Sequence, residues 1–246
     1  MIIVGDIGNT EIKIFLGFKN QYKKILLDTK NINYSVLRKK LNFLKKHEYE
    51  KNILFCSVVP KVYNKLNKFF FNEFKINCIE IKKLNLNKII NINVNRKEIG
   101  SDRISNAIGV MNKKDNFIVV DFGTATTFDV ITKNNYLGGV IAPGVTLSLD
   151  NLIKRASLIP NIKLSKSKTI IGKNTRQAVL SGFFWGYTGL INRIISKIKK
   201  KTNKNYKIFF TGGLAHLFNK DIKGKIDIDK NLTVKGLIKI SKYFKL

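Results

Sequence analysis

Two segments of this chain end an apolar run with an aspartate and follow it with glycine and a small polar residue: Asp6-Ile-Gly-Asn-Thr10 and Asp121-Phe-Gly-Thr-Ala125. That order suits nucleotide phosphates. The glycine lets the backbone approach closely, the N–H groups of the turn face the anion, and the aspartate can hold Mg2+ directly or through water. Asp6, Gly8, Asn9 and Thr10 fit this use, and Lys13 on the returning strand offers an ammonium to a phosphate oxygen. Either segment alone reads just as well as an Asx-type turn in a structural hairpin. Two copies about half a chain apart, with the glycine-rich Thr211-Gly212-Gly213 downstream, point to a nucleotide cleft between domains.

Gly100-Ser101-Asp102-Arg103 sets a carboxylate beside a guanidinium where a helix begins. Such a carboxylate can accept the proton of an attacking hydroxyl, and such an arginine can clamp a substrate carboxylate through paired hydrogen bonds. The plainer reading is a helix cap with an exposed ion pair.

The elements around these residues alternate. Ile2 to Asp6 and Ile12 to Phe18 read as strands of a hairpin turning at Gly8-Asn9-Thr10. Leu37, Leu41 and Leu44 suggest a helix, Ile53 to Cys56 a short strand, and Pro60 a helix start. Ser101 or Asp102 can cap a helix running through Ile104, Ala107, Ile108 and Met111. The hairpin pattern then recurs at Phe117 to Asp121 and Thr127 to Ile131, so duplication of an α/β half is the economical explanation. A long helix from about Thr175 to Lys199 puts Leu180, Phe184, Tyr187, Ile191, Ile194 and Ile198 on one stripe, for core or subunit interface. Gly182, Gly186 and Gly189 in it suggest that another backbone packs closely there. Asp229 can cap a final helix.

Composition excludes several classes. A chain of 246 residues, 44% of them hydrophobic, can bury a real core, but its longest apolar runs fall far short of the roughly 18 residues of a membrane span. No secretion signal opens the sequence, so cytoplasmic residence is the expectation. Cys56 and Cys78 sit in apolar, strand-like surroundings and read as buried thiols. With only His47 and His216, a zinc site or histidine triad lacks material, so any metal must take oxygen ligands. The net charge of +30 comes from lysines spread along the chain, with only six arginines, which reads as compositional bias and not as a specific nucleic-acid surface. The densest lysine run, from Lys197 to Lys207, reads as a solvated helix end and turn.

Six ordered blocks resemble the type III pantothenate kinases of the acetate and sugar kinase, Hsp70 and actin superfamily. They are Asp6 to Thr10, Gly100 to Arg103, Asp121 to Thr127, Gly138-Gly-Val-Ile-Ala-Pro-Gly144, Asn174-Thr175 with Gly182 downstream, and Thr211 to Gly213. The resemblance implies two duplicated actin-like (ribonuclease H-like) halves, each a mixed sheet flanked by helices. Residues 1–112 would carry the first phosphate hairpin and the substrate loop, and 113–246 the second hairpin and the long interface helix. It further implies transfer of the ATP γ-phosphate to pantothenate in coenzyme A biosynthesis. Asp6, Gly8, Asn9, Thr10, Lys13 and Thr124 would serve ATP, with Asp6 holding Mg2+ through phosphate. Asp102 would be the general base among Gly100, Ser101 and Arg103 of the substrate loop. Asp121 would hold K+ or NH4+, and Thr175 would reach pantothenate from the second subunit of a homodimer. The family's usual Tyr-x-Asn-Pro-like stretch is replaced by Asn93-Val-Asn-Arg96, which exchanges an aromatic wall and a rigid turn for flexible polar groups. The alternatives are a kinase of another small hydroxylated metabolite, against which the Gly-x-Asp-Arg loop argues, or a catalytically lapsed regulator or nucleic-acid-binding member, against which the intact acidic positions argue.

Overall fold

The structure is a computed structural model and describes residues 2–18, 21–46 and 52–246, so Met1 and His47 lie outside the described residues. It divides into two compact units: residues 1–110 with 134–136 and 231–246, and residues 111–133 with 137–230. Residues 231–246 thus join the first unit, whereas the division at 112/113 assigns them to the second half.

The first unit is built on five strands: β1 (Ile2–Ile7), β2 (Glu11–Phe18), β3 (Gln21–Asp28), β4 (Asn52–Ser57) and β5 (Asn77–Glu80), ordered β3-β2-β1-β4-β5. The three hairpin strands pair antiparallel, and β4 and β5 add in parallel. Helices α1 (Tyr34–Leu41) and α2 (Pro60–Phe74) supply Leu37, Leu41, Leu66, Phe69 and Phe70 to a core shared with Ile3, Ile7, Ile12, Ile14, Ile53 and Phe55. Pro60 opens α2 as expected, because proline's missing N–H costs nothing in a first turn. Side chains alternate along a strand, so burying those residues on one face places Asp6, Lys13 and Cys56 on the other.

That second face meets α3 (Ser101–Val110), which contacts β4, and α7 (Leu232–Phe244), which contacts β1. These two helices approach closely at Gly236, where a Cβ would lie 1.9 Å from the Ser105 carbonyl oxygen. Ser105 Oγ donates to the Thr233 carbonyl at 2.7 Å, and Lys239 Nζ donates to the Ile108 and Gly109 carbonyls at 3.1 and 2.6 Å. Asn231, not Asp229, precedes α7; the Asp229 N–H instead donates to the Phe210 carbonyl in the second unit. The short β6 (Asn91–Ile92) pairs in parallel with residues 135–136.

The second unit contains β7 (Asn116–Phe122), β8 (Ala125–Thr132), β9 (Asn135–Pro143) from Leu137 onward, β10 (Lys207–Gly212) and β11 (Ile226–Ile228), ordered β11-β10-β7-β8-β9. Read from the hairpin outward, this is the strand order of the first unit again. Helix α4 (Val145–Arg155), the long α5 (Thr175–Thr202) and the short α6 (Ala215–Phe218) cover it. Ile118, Val120, Phe122, Phe128, Phe184, Ile191, Ile195, Phe210 and Phe218 form the core, which leaves Asp121, Thr127 and Thr211 on the opposite face.

The buried stripe of α5 is Ser181, Phe184, Thr188, Ile191 and Ile195, a 3.6-residue spacing. Leu180, Tyr187, Ile194 and Ile198 are only half-buried, so the expected stripe is rotated at its flanks. Among the described residues, no atom outside the helix's own neighbouring backbone lies within 4 Å of where a Cβ would stand on Gly182, Gly186 or Gly189, so no other described segment packs on them.

Candidate active site

In each sheet one row of three side chains crosses the hairpin. In the first, Asp6 of β1 pairs with Lys13 of β2 and with Cys56 of β4; in the second, Asp121 of β7 pairs with Thr127 of β8 and with Thr211 of β10. The second hairpin is one residue shorter across its turn, so a threonine stands where the first has its lysine.

Asp6 is half-buried. Its Oδ2 lies 3.8 Å from Lys13 Nζ, and its Oδ1 accepts from Cys56 Sγ at 3.3 Å. Burial pushes the Asp6 carboxyl above its ordinary range, Lys13 pulls it back, and the charge of Asp102 raises it further. The hairpin carboxylate and the Gly100–Arg103 loop belong to the same unit. The Gly8 N–H donates to the Glu11 carbonyl at 3.0 Å, while Thr29 props the turn, its Oγ1 donating to the Gly8 carbonyl at 2.8 Å and its N–H to the Thr10 carbonyl at 3.1 Å. Asn9 and Thr10 are exposed at the tip.

Asp102 stands in the first turn of α3, with Oδ1 accepting the Arg103 N–H at 2.8 Å. Gly100 leaves room for this carboxylate, since a Cβ there would come within 2.4 Å of Asp102 Oδ1. Burial raises the Asp102 carboxyl, and the Arg103 N–H and guanidinium partly offset it. Ser101 does not cap the helix; its hydroxyl accepts from the Ser57 N–H at 2.8 Å and donates to the Ser57 carbonyl at 3.0 Å. Glu80, whose carboxyl burial also raises, lies beside this serine.

The stretch before the loop is pinned, which corrects the expectation of flexible polar groups. Arg96 Nη2 donates to the Leu84 carbonyl, Asn95 Oδ1 accepts the Lys97 N–H at 3.1 Å, and Lys82 Nζ donates to the Lys97 and Ile99 carbonyls at 3.0 and 2.9 Å. An arginine and an Asx turn thus do the stiffening that proline would have done.

In the second unit, Asp121 is half-buried at the end of β7. Gly212 adopts φ +86°, and a Cβ on it would come within 2.7 Å of Asp121 Oδ1 and 2.5 Å of the Phe122 carbonyl oxygen. Gly144 presses on the other side of this hairpin, where a Cβ would lie 2.0 Å from the Thr124 carbonyl oxygen. Close approach therefore explains both glycines. Tyr187 of α5 holds the segment before α4, its hydroxyl lying 3.2 Å from the Pro143 carbonyl and 2.8 Å from Ser148 Oγ. Thr124 is exposed at the turn, and Thr175 is exposed at the start of α5, where Asn174 caps the helix by accepting the Gln177 N–H at 3.0 Å.

The residues present suit oxygen-loving cations. Among the described residues no three His, Cys, Asp or Glu side chains cluster. Beside Asp121, Thr127 Oγ1 is buried without a hydrogen-bond partner and is an unclaimed oxygen for a monovalent cation.

Cys56 and Thr29 were not singled out among the candidate site residues. Cys56 closes the apolar strand Ile53–Cys56 just as Thr211 closes Ile208–Phe210, and that shared ending was the available signal.

The type III pantothenate kinase family model matches residues 2–197. A type III pantothenate kinase of Pelagibacter ubique is 56% identical over 248 residues, covering both chains completely. One from Citrifermentans bemidjiense is 38% identical over 190 residues, covering 76% of this chain and 74% of its own. This chain belongs to the type III pantothenate kinase family. Its fold resembles a Campylobacter jejuni structure described under the Baf family of transcriptional activators, with TM-score 0.64, 22% identity and 99% of each chain covered. It also resembles a Sinorhizobium meliloti structure described as a 2-dehydro-3-deoxygalactonokinase protein, with TM-score 0.61, 10% identity and 99% of each chain covered. The likeness to these solved structures is one of fold: two mixed sheets of matching strand order, each flanked by helices. Among the described residues, no helix is long and apolar enough to cross a membrane.

Proposed function

We infer that the protein transfers the γ-phosphate of ATP to the primary hydroxyl of pantothenate, giving 4′-phosphopantothenate for coenzyme A synthesis in the cytoplasm. Beyond family membership, the observation that carries this reading is the double hydrogen bond of Ser101 to Ser57, which holds the Asp102 loop on the end of the strand paired with that of Asp6 and so supports a base beside a phosphate-binding hairpin. Asp102 accepts the hydroxyl proton, and its raised pKa makes it a better base once ionised. Arg103 clamps the pantothenate carboxylate, with Gly100 and Ser101 completing the loop. Asp6, Gly8, Asn9, Thr10 and Lys13 receive the ATP phosphates in the first unit, and Thr124 does so in the second. Mg2+ at Asp6, and K+ or NH4+ at Asp121 and Thr127, would supply positive charge against the phosphate oxygens.

We read the working state as a homodimer in which Thr175 serves the partner's pantothenate. Supporting this, Gly182, Gly186 and Gly189 form an open face on α5, and Ile170 and Ile171 are 68% and 80% exposed just before it. Mixed dimers of Asp102→Asn and Thr175→Ala protein should then regain activity that each lacks alone.

The test of the reaction is to incubate the purified protein with ATP, Mg2+ and K+ against a panel of hydroxylated metabolites and find the phosphorylated product by mass. Product from pantothenate is expected. Product only from another compound would overturn the substrate while leaving the kinase class intact.

A further inference from the structure

We propose that Cys56 is a positioning residue for Asp6: its thiol, presented from the neighbouring strand, fixes the orientation of the carboxylate that handles the nucleotide phosphates. The inference rests on the role given to Asp6 above.

The geometry is specific. Asp6 and Cys56 are register partners on the parallel strands β1 and β4, so their side chains leave the same face of the sheet side by side. Cys56 Sγ donates to Asp6 Oδ1 at 3.3 Å, while the other oxygen faces Lys13 at 3.8 Å. With a different partner on each oxygen, rotation of the carboxylate about its last bond is restrained. The thiol is fully buried and its Sγ is aimed at Asp6 Oδ1, so it is placed as a donor to that oxygen. Without it, Oδ1 would be a desolvated acceptor with no partner on that side, free to turn toward Lys13.

The next residue of the strand gives the pair a wider role. Ser57 holds Ser101 through both its N–H and its carbonyl, so consecutive residues at the end of β4 serve the two carboxylate-bearing elements, the hairpin of Asp6 and the loop of Asp102. The duplicated half supplies a second, independent observation. There the register partner of Asp121 on the equivalent strand is Thr211, again a buried side chain with a donor, in a strand that is otherwise apolar from Ile208 to Phe210. A residue kept only for packing would carry no such requirement, and valine would fill either place.

The experiment compares Cys56→Ser, which keeps a donor, with Cys56→Val, which keeps the volume and removes it, in the full chain. Turnover and KM are measured separately for MgATP and pantothenate, and thermal midpoints are recorded alongside. Cys56→Val should lose about tenfold in kcat/KM for MgATP, the scale of one weak hydrogen bond to a charged group, and leave the pantothenate KM within about twofold. Cys56→Ser should recover most of the loss. Wild-type behaviour of Cys56→Val, or a serine variant no better than valine, would overturn the proposal. If the valine protein does not fold, Cys56→Ala takes its place in the same comparison. Calorimetric MgATP binding by the wild type, and by Asp6→Asn, is measured first. Equal binding by the two contradicts the role of Asp6 itself, whereas weakened Asp6→Asn binding with an indifferent Cys56→Val contradicts only the role of Cys56.

Discussion

Ser57 and Ser101 grip each other twice, the Ser101 hydroxyl accepting from the Ser57 N–H at 2.8 Å and donating to the Ser57 carbonyl at 3.0 Å. The pair ties the first turn of α3 to the end of β4 and so fixes Asp102 relative to Asp6. Ser101→Ala removes both bonds from the half-buried Ser57 backbone, so it should cost about 1 kcal/mol in denaturant unfolding and lower turnover as well. An unfolding midpoint equal to wild type would show that the grip contributes nothing.

Asp102 should make the folded protein less stable than it could be. Its carboxyl titrates above the ordinary 3.8 because burial disfavours the charge. Between that value and the raised folded pKa the native state binds more protons than the unfolded chain, so stability falls as pH rises through this window and stays reduced above it. Asp102→Asn removes the cost. Its thermal midpoint should match wild type at about pH 3.5 and exceed it at about pH 7.5. A midpoint lower than wild type at neutral pH would contradict the sign.

The Asp-x-Gly hairpins, the Gly100–Arg103 helix start and the repeat of one half-fold were legible because each depends on local chemistry: turn residues, caps and alternating apolar strands. Other features depended on long-range pairing. Nothing local announces that Asp229 bonds back to Phe210 and leaves Asn231 to precede α7, or that Gly236 needs its hydrogen because Ser105 lies across from it. The expected stripe on α5 was rotated because Tyr187 and Ile194 are apolar yet only half-buried, while Ser181 and Thr188 are polar yet buried. Burial there is set by the position of the sheet. The stretch at Asn93–Arg96 looked loose only because its partners, the carbonyls of Lys82 and Leu84, are remote in sequence.

Gly144→Ala tests how closely the start of α4 supports the second hairpin. The added methyl would meet the Thr124 carbonyl oxygen at 2.0 Å, so backbone must move. We expect a loss of about 2 kcal/mol of stability and a higher KM for ATP. Unchanged values of both would mean that Thr124 plays no part in nucleotide binding and that the turn yields freely.

The monovalent cation should depend on Thr127 as well as Asp121. Thr127→Val keeps the shape and removes the one buried hydroxyl on that row without a partner. The K+ concentration for half-maximal activity should rise about tenfold, the scale of one lost ligand or hydrogen bond, with little change in stability. A K+ response identical to wild type would place the cation elsewhere.

The most direct test of the account is the turnover of Asp102→Asn protein with pantothenate at saturating MgATP, beside its MgATP affinity. The substitution is nearly isosteric and can still accept the Arg103 N–H, so the loop should keep its form. The account predicts a fall in kcat of about 10²–10⁴ with MgATP binding close to wild type. Turnover near the wild-type rate would show that Asp102 only shapes the start of α3, and would contradict its role as the base that prepares the pantothenate hydroxyl.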